Sequence, residues 1–256
     1  LITGGSGFLG SFLIDELTKK NVNNLVIPTS KDYDLRNKTD CKNILKDVDV
    51  VFHLAGNQGG IGFLKENPAS VFYDNIMMGT NLIHESKHAN IEKLITLGTI
   101  CSYPKFTPIP FNEENIWDGY PEETNAAYGL AKKMLLVQSQ AYKEQFGFNS
   151  IVLIPTNLYG PKDNFDLESA GVIPTLINKI HTAKKHQKDS QTRSQISRIS
   201  IPNLEDFDPK SSPGGGFGQG PVFETFIDGF WSQNGAQNGA KINKKVDVFR
   251  MFFRNR

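Results

Sequence analysis

Tyr128 and Lys132 stand four residues apart in a stretch with good helix formers, so on a helix they share one face. An ammonium beside a phenol favours the phenolate, which predicts a tyrosine brought toward a pKa useful for proton transfer. Thr99 follows residues 91–97, whose Ile91, Leu94, Ile95 and Leu97 make the stretch read as a buried strand. A hydroxyl at that strand end can hydrogen-bond a substrate oxygen while the tyrosine exchanges a proton with it. Tyr-x-x-x-Lys alone is equally the pattern of a surface helix pair, so its meaning rests on what precedes it.

The elements that must position these residues begin at Leu1. Residues 1–3 read as the end of a strand, and Gly4, Gly7 and Gly10 follow as Gly-x-x-Gly-x-x-Gly before an amphipathic helix carrying Phe12, Leu13 and Leu17. Glycines there permit a tight turn and close approach of backbone to a pyrophosphate. The helix start then offers N–H groups and the positive end of a dipole. A glycine turn is often only a turn; between strand and helix it predicts nucleotide binding. Residues 25–27 read as a second strand, followed by Pro28, Thr29, Ser30 and Lys31. Where an NAD-selecting carboxylate would sit, hydroxyls and a cation suit a 2′-phosphate, so NADPH is expected over NADH. Asp34 and Leu35 either reach the adenine or form a solvated turn.

Residues 48–54, mostly apolar, read as a strand running into His53-Leu54-Ala55-Gly56, with His53 expected to be a packed strand histidine. Residues 59–62 (Gly-Gly-Ile-Gly) read as a flexible loop, residues 68–88 as a helix with Asn75 and Gly79 on one face, and Met77 and Met78 as packing residues. The helix bearing Tyr128 is expected to end near Phe146. A strand over 151–154 follows, then a turn through Pro155, Asn157 and Leu158 and a helix from Val172 to about Lys185. Strands alternating with helices predict an α/β fold with a doubly wound parallel sheet of the Rossmann type.

At 256 residues the chain can bury a sizeable core. Its net charge of +1 and lack of a basic aromatic stripe argue against nucleic acid, and no apolar run reaches membrane-spanning length. Cys41 and Cys101 make no disulfide framework and fit a reducing, cytoplasmic setting. The chain opens inside its first strand, so a truncated N-terminus is expected. From about Lys188 the character changes: residues 190–200 are polar and basic, residues 213–221 are rich in glycine and proline, and Gln-Asn-Gly-Ala at 233–236 repeats at 237–240. Residues 188–256 are therefore expected to be an irregular, poorly ordered tail, with residues 1–187 forming a dinucleotide-binding domain.

Together these motifs resemble the extended short-chain dehydrogenase/reductase (NAD-dependent epimerase/dehydratase) family, and within it the GDP-L-fucose synthases. The resemblance runs over about residues 1–185. Its carriers are Thr-Gly-Gly-Ser-Gly-Phe-Leu-Gly at 3–10, His-Leu-Ala at 53–55, Gly-Gly-Ile at 59–61, Cys-Ser-Tyr-Pro-Lys at 101–105, Pro-Glu-Glu-Thr-Asn at 121–125, Asn-Leu-Tyr-Gly-Pro at 157–161 and Asp-Asn-Phe at 163–165. It implies an NADPH-dependent epimerase/reductase of a nucleotide sugar, a GDP-sugar by preference. Tyr128 would be the proton donor, Lys132 its partner, Thr99 the hydroxyl completing the site and Cys101 the epimerisation acid/base. A tunable thiol suits abstraction of a proton beside a ketone; without the resemblance Cys101 reads as a small buried apolar residue. Cofactor contacts are implied at Gly4, Gly7, Phe8, Leu9, Gly10, Ser30, Lys31, Leu54, Ala55, Lys132, Pro155, Asn157 and Leu158, and substrate contacts at Asn157 and Asn164. No metal is implied. A homodimer would pair through the helix at 68–88 and the helix bearing Tyr128. Two departures stand out: Gly171 occupies the place of a histidine that would be the second epimerisation residue, and residues 188–256 do not match the family's substrate domain. An NAD-retaining 4-epimerase or dehydratase and a non-catalytic nucleotide-binding protein are the competing readings.

Overall fold

The computed structural model describes residues 1–167 and 169–187; the expectation of an irregular tail falls on residues 188–256 and lies outside the described residues. Four strands, β1 (Ile2–Thr3), β2 (Val50–His53), β3 (Lys93–Leu97) and β4 (Ser150–Leu153), form one sheet in that order, every pair parallel. Among the described residues six α-helices connect and flank them: α1 (Phe8–Lys19), α2 (Lys38–Ile44), α3 (Ile61–Glu66), α4 (Pro68–His88), α5 (Ala126–Phe146) and α6 (Val172–Gln187). This is the expected doubly wound α/β arrangement.

Alternation along the strands sorts their side chains. Leu1, Val51 and Leu94 belong to one buried cluster with Leu82 and Ile83 of α4 and Leu135 of α5. Register pairs Ile2 with Phe52 and Ile95 on the opposite face, then Thr3 with His53 and Thr96 back on the α4/α5 face. A polar row thus lies at the carboxyl end of the sheet, beneath α4 and α5. The two helices pack closely because Gly79 presents no side chain; a Cβ there would run into the Leu135 side chain.

Three expectations are corrected. Residues 25–27 are not a strand: one hydrogen bond, from Ile2 N to Val26 O (2.8 Å), joins them to the two-residue β1. Pro28 has no N–H to extend a ladder, and Val26 and Ile27 remain exposed. Residues 59–62 are not a loop throughout, since Gly60 caps α3 and Leu64 within it is buried. A Cβ on Gly59 would strike the Phe63 ring at 2.7 Å, so the glycines serve a tight helix entry. Helix α2 was not anticipated, although Asn37 caps it by accepting from Thr39 N (2.8 Å) while Cys41 and Ile44 are buried. Among the described residues no helix is long and apolar enough to cross a membrane.

Candidate active site

All four strands point the same way, so their carboxyl ends share one edge, and the residues with chemistry lie along it. β1 is flanked by residues 25–27 on one side and β2 on the other, so the chain reverses its direction of travel across the sheet at β1. Such switch points form crevices for ligands in parallel sheets. The glycine turn occupies this one. Gly4 has φ +70°, and a Cβ on it would lie 2.7 Å from Ala55 N, so only glycine lets the turn touch the segment after β2. Gly7 N donates to Gly4 O (3.1 Å) and Gly7 caps α1 with no side-chain hydrogen bond, leaving Phe8, Leu9 and Gly10 in a helix start uncovered by any capping side chain. Leu54 and Ala55 are tied to the turn through Thr3, whose carbonyl and hydroxyl accept from their N–H groups (3.1 and 3.3 Å). The segment after β4, with Pro155, Asn157 and Leu158, reaches back to the turn, where Gly160 packs on the Phe8 ring.

Ser30 and Lys31 are exposed in a turn held by Thr29, whose carbonyl accepts from Asp32 N and Tyr33 N (both 3.1 Å). Asp34 is committed elsewhere. Its carboxylate accepts from Arg36 Nε and Nη2 (2.9 and 2.8 Å), and Arg36 Nη1 continues to Asp74 on α4 (3.0 Å). Asp74 in turn accepts from Asn57 Nδ2 (2.9 Å). Asn57 is also gripped by the buried Asn75: its N–H donates to Asn75 Oδ1 (3.2 Å) and its carbonyl accepts from Asn75 Nδ2 (2.7 Å). The segment after β2 is therefore fastened to α4 on both backbone and side chain.

Thr99 caps a 3-10 turn, Ile100–Ser102, by accepting from Cys101 N (3.2 Å), which leaves its hydroxyl hydrogen available for donation. This turn is pressed on the start of α5: a Cβ on Gly129 would overlap the Cys101 carbonyl, and Ser102 Oγ donates to Gly129 O (2.7 Å). Cys101, half-buried and free, is thereby set beside Tyr128 closely enough to act on its charge. The Tyr128 hydroxyl donates to Gln58 Oε1 at 3.2 Å.

Lys132 is 3% exposed, and burial pushes its pKa down to about 8. Its Nζ lies 6.0 Å from the centre of the Tyr128 ring and beside Asn75, since a Cβ on Gly56 would be 3.6 Å from Nζ and 3.1 Å from Asn75 Oδ1. Here the structure corrects the simple electrostatic expectation. Burial, seconded by Cys101, holds the Tyr128 phenol above its ordinary value, and an ammonium this far from the ring does not reverse that. His53 is, as expected, a packed strand histidine. Its Nδ1 meets Thr3 Oγ1 (2.9 Å), and burial, with Lys132 nearby, pushes its pKa down to about 3.

Asn164 holds its own turn: its Nδ2 donates to Ser169 Oγ (2.9 Å) and its Oδ1 accepts from Asp166 N (3.0 Å). Asn157 is exposed on the segment after β4. The 169–170 segment reaches the Gly59–Gly60 turn, with Gly60 N donating to Ser169 O (2.9 Å), and around Gly171 there is room for a side chain, the nearest atom to a built Cβ being Pro174 Cδ at 3.9 Å. Sequence reasoning missed Gln58 and the Asn57–Asn75 clamp. Asn75 was noticed for its helical spacing from Gly79, but its partner is 18 residues away and no local pattern connects them.

The profile of the NAD dependent epimerase/dehydratase family matches residues 1–195. The chain belongs to that family. A GDP-L-fucose synthase of Sinorhizobium fredii is 39% identical over 185 residues, 72% of this chain and 59% of the relative. A GDP-6-OMe-4-keto-L-xylo-heptose reductase from C. jejuni superposes with TM-score 0.70 at 31% identity, over 80% of this chain and 59% of that one. A GDP-L-fucose synthetase from Naegleria fowleri bound to NADP gives 0.67 at 31% identity, over 73% and 58%. This family member thus spans less than two thirds of the relatives it matches.

Proposed function

We propose that this chain is an NADPH-dependent nucleotide-sugar epimerase/reductase of the GDP-L-fucose synthase kind, acting on a GDP-4-keto-6-deoxy sugar, with residues 1–187 as its cofactor-binding domain. The observation carrying this reading is the meeting of Tyr128, buried Lys132, Thr99 and Cys101 at the sheet edge that also holds the glycine turn. The residues fit the cofactor. Gly4 and Gly10 keep the turn free of side chains, the start of α1 is uncapped by any side chain, and Ser30 and Lys31 suit a 2′-phosphate. When bound, NADPH supplies a hydride to the C4 ketone. Tyr128 gives its proton to the resulting alkoxide, so that carbonyl becomes alcohol by one hydride and one proton. Thr99 donates a hydrogen bond to the same oxygen, and Lys132 supplies positive potential as the phenolate forms. The Cys101 thiolate removes the proton on the carbon beside the ketone, and inversion needs a proton returned to the opposite face. Gly171 offers no second acid, so reduction is expected to outrun epimerisation.

We further propose a homodimer through α4 and α5, supported by the exposed Phe72 and Tyr73 on one and Met134 and Val137 on the other, and a cytoplasmic setting, supported by two free cysteines. The test of function is NADPH oxidation with GDP-4-keto-6-deoxymannose by the parent chain and by Tyr128→Phe. The parent should turn over, and the variant should bind NADPH while losing at least 100-fold in rate, about the scale of general acid catalysis. Reduction by Tyr128→Phe at the parent rate would refute the assignment.

A further inference from the structure

Gln58 is absent from every motif that points to the reaction, yet its side chain is the hydrogen-bond partner of the Tyr128 hydroxyl. Its backbone is not at liberty. Asn57 before it is clamped by Asn75 and Asp74, and Gly60 two residues later is tied to Ser169 O. A Cβ on Gly60 would come within 2.7 Å of Ala170 O, so this turn and the 169–170 segment are in backbone contact. The carboxamide of Gln58 thus swings from a fixed base, with its reach directed at Tyr128. At 3.2 Å the bond is longer than a tight O–H···O contact, so it yields easily to a substrate oxygen.

A carboxamide carries both an acceptor and donors, so it can serve the phenol and the phenolate in turn. The titratable groups facing that hydroxyl among the described residues are Cys101 from the turn after β3 and Lys132 on α5, with neutral His53 of β2 coupled to Lys132. Cys101 as thiolate opposes a phenolate, and the Lys132 ammonium is 6.0 Å from the ring centre. Among these residues only the amide is seen in hydrogen-bonding contact with the phenolic oxygen.

We infer that Gln58 is a positioning residue for Tyr128 in both of its protonation states, accepting from the phenol through Oε1 and, by turning its carboxamide over, donating to the phenolate through Nε2. This rests on the reading of Tyr128 as the proton donor, and it says how the donor is steadied once the proton has gone. A hydrogen bond to a charged oxygen is the stronger of the two, so the net effect of Gln58 is to favour the phenolate. Gln58→Met removes both bonds at similar length. Gln58→Glu keeps only an acceptor and adds like charge.

The test replaces Tyr128 in the full chain with a fluorinated tyrosine, whose more acidic phenol titrates while the protein is folded, and follows its single fluorine NMR signal against pH. Gln58→Met is expected to raise the midpoint by about one pH unit, a tenfold gain in proton affinity, and Gln58→Glu to raise it at least as far. Gln58 is exposed, so neither variant disturbs a core. A midpoint that is unmoved, or that falls in Gln58→Met, overturns the inference. The titration needs no substrate or turnover. A chain that shows the shift but reduces no sugar nucleotide would sink the proposed reaction and leave the Gln58 pairing standing.

Discussion

Replacing Lys132 by methionine should yield a chain that is more stable at neutral pH and unable to carry out reduction. Lys132 is 3% exposed, and burial disfavours the charge on its Nζ, which makes no hydrogen bond or ion pair among the described residues. The pKa falls from lysine's ordinary 10.5 to about 8, with burial as the cause. That difference corresponds to about 3 kcal/mol of disfavoured charge. The sign follows from linkage. Below pH 8 both folded and unfolded states hold the proton, and the full penalty opposes folding. Between about 8 and 10.5 the unfolded state binds more protons, so stability rises with pH, and above 10.5 the penalty is gone. Methionine has no such dependence and fills a similar volume. Urea denaturation of parent and Lys132→Met at pH 7, 9 and 10.5 therefore should show the variant ahead by about 3 kcal/mol at pH 7, the gap closing by pH 10.5. Other titrating groups are common to both chains and cancel in the difference. A variant less stable than the parent at pH 7, or a gap that ignores pH, would refute the argument that burial disfavours this charge.

Two further outcomes follow from the site. Calorimetry should find NADPH bound more tightly than NADH, and Lys31→Ala should weaken NADPH about tenfold while sparing NADH, one exposed charge-assisted contact being worth about 1.5 kcal/mol; equal loss for both cofactors would remove Lys31 from the 2′-phosphate. Cys101→Ser should slow deuterium exchange beside the ketone with little loss of reduction, and Gly171→His, which enters open space, should quicken exchange; exchange indifferent to both would detach epimerisation from this edge of the sheet.

The sheet and the long helices were legible because their signals are local. The mostly apolar stretches at 48–54 and 91–97 contain β2 and β3, and α4 begins and ends at the residues its pattern marked. Tyr128 and Lys132 were found by spacing along one helix. Their electrostatics were not, because burial is set by what packs over α5, and it outweighs an ammonium 6.0 Å from the ring centre. Residues 25–27 look like a strand by composition, yet a two-residue β1 gives them little to pair with. Gln58 escaped for a third reason: it comes to Tyr128 through a clamp whose halves, Asn57 and Asn75, are joined by tertiary contact alone.

The chain of polar contacts from Asp34 through Arg36 and Asp74 to Asn57 has a practical side for anyone wishing to alter cofactor choice. The obvious place to edit is the exposed turn at Ser30 and Lys31, and the next residue along with a guanidinium to offer is Arg36. Recruiting Arg36 to a phosphate, or deleting it, takes from Asp74 its cationic partner and slackens one of the anchors of the segment that ends at Gln58. Arg36, just past the exposed turn at Ser30 and Lys31, and the Gln58 contact with Tyr128 are thus joined by a chain of polar contacts through Asp74 and Asn57. Libraries that vary residues 29–33 and leave Arg36 alone should retain reductase competence far more often than libraries that include it.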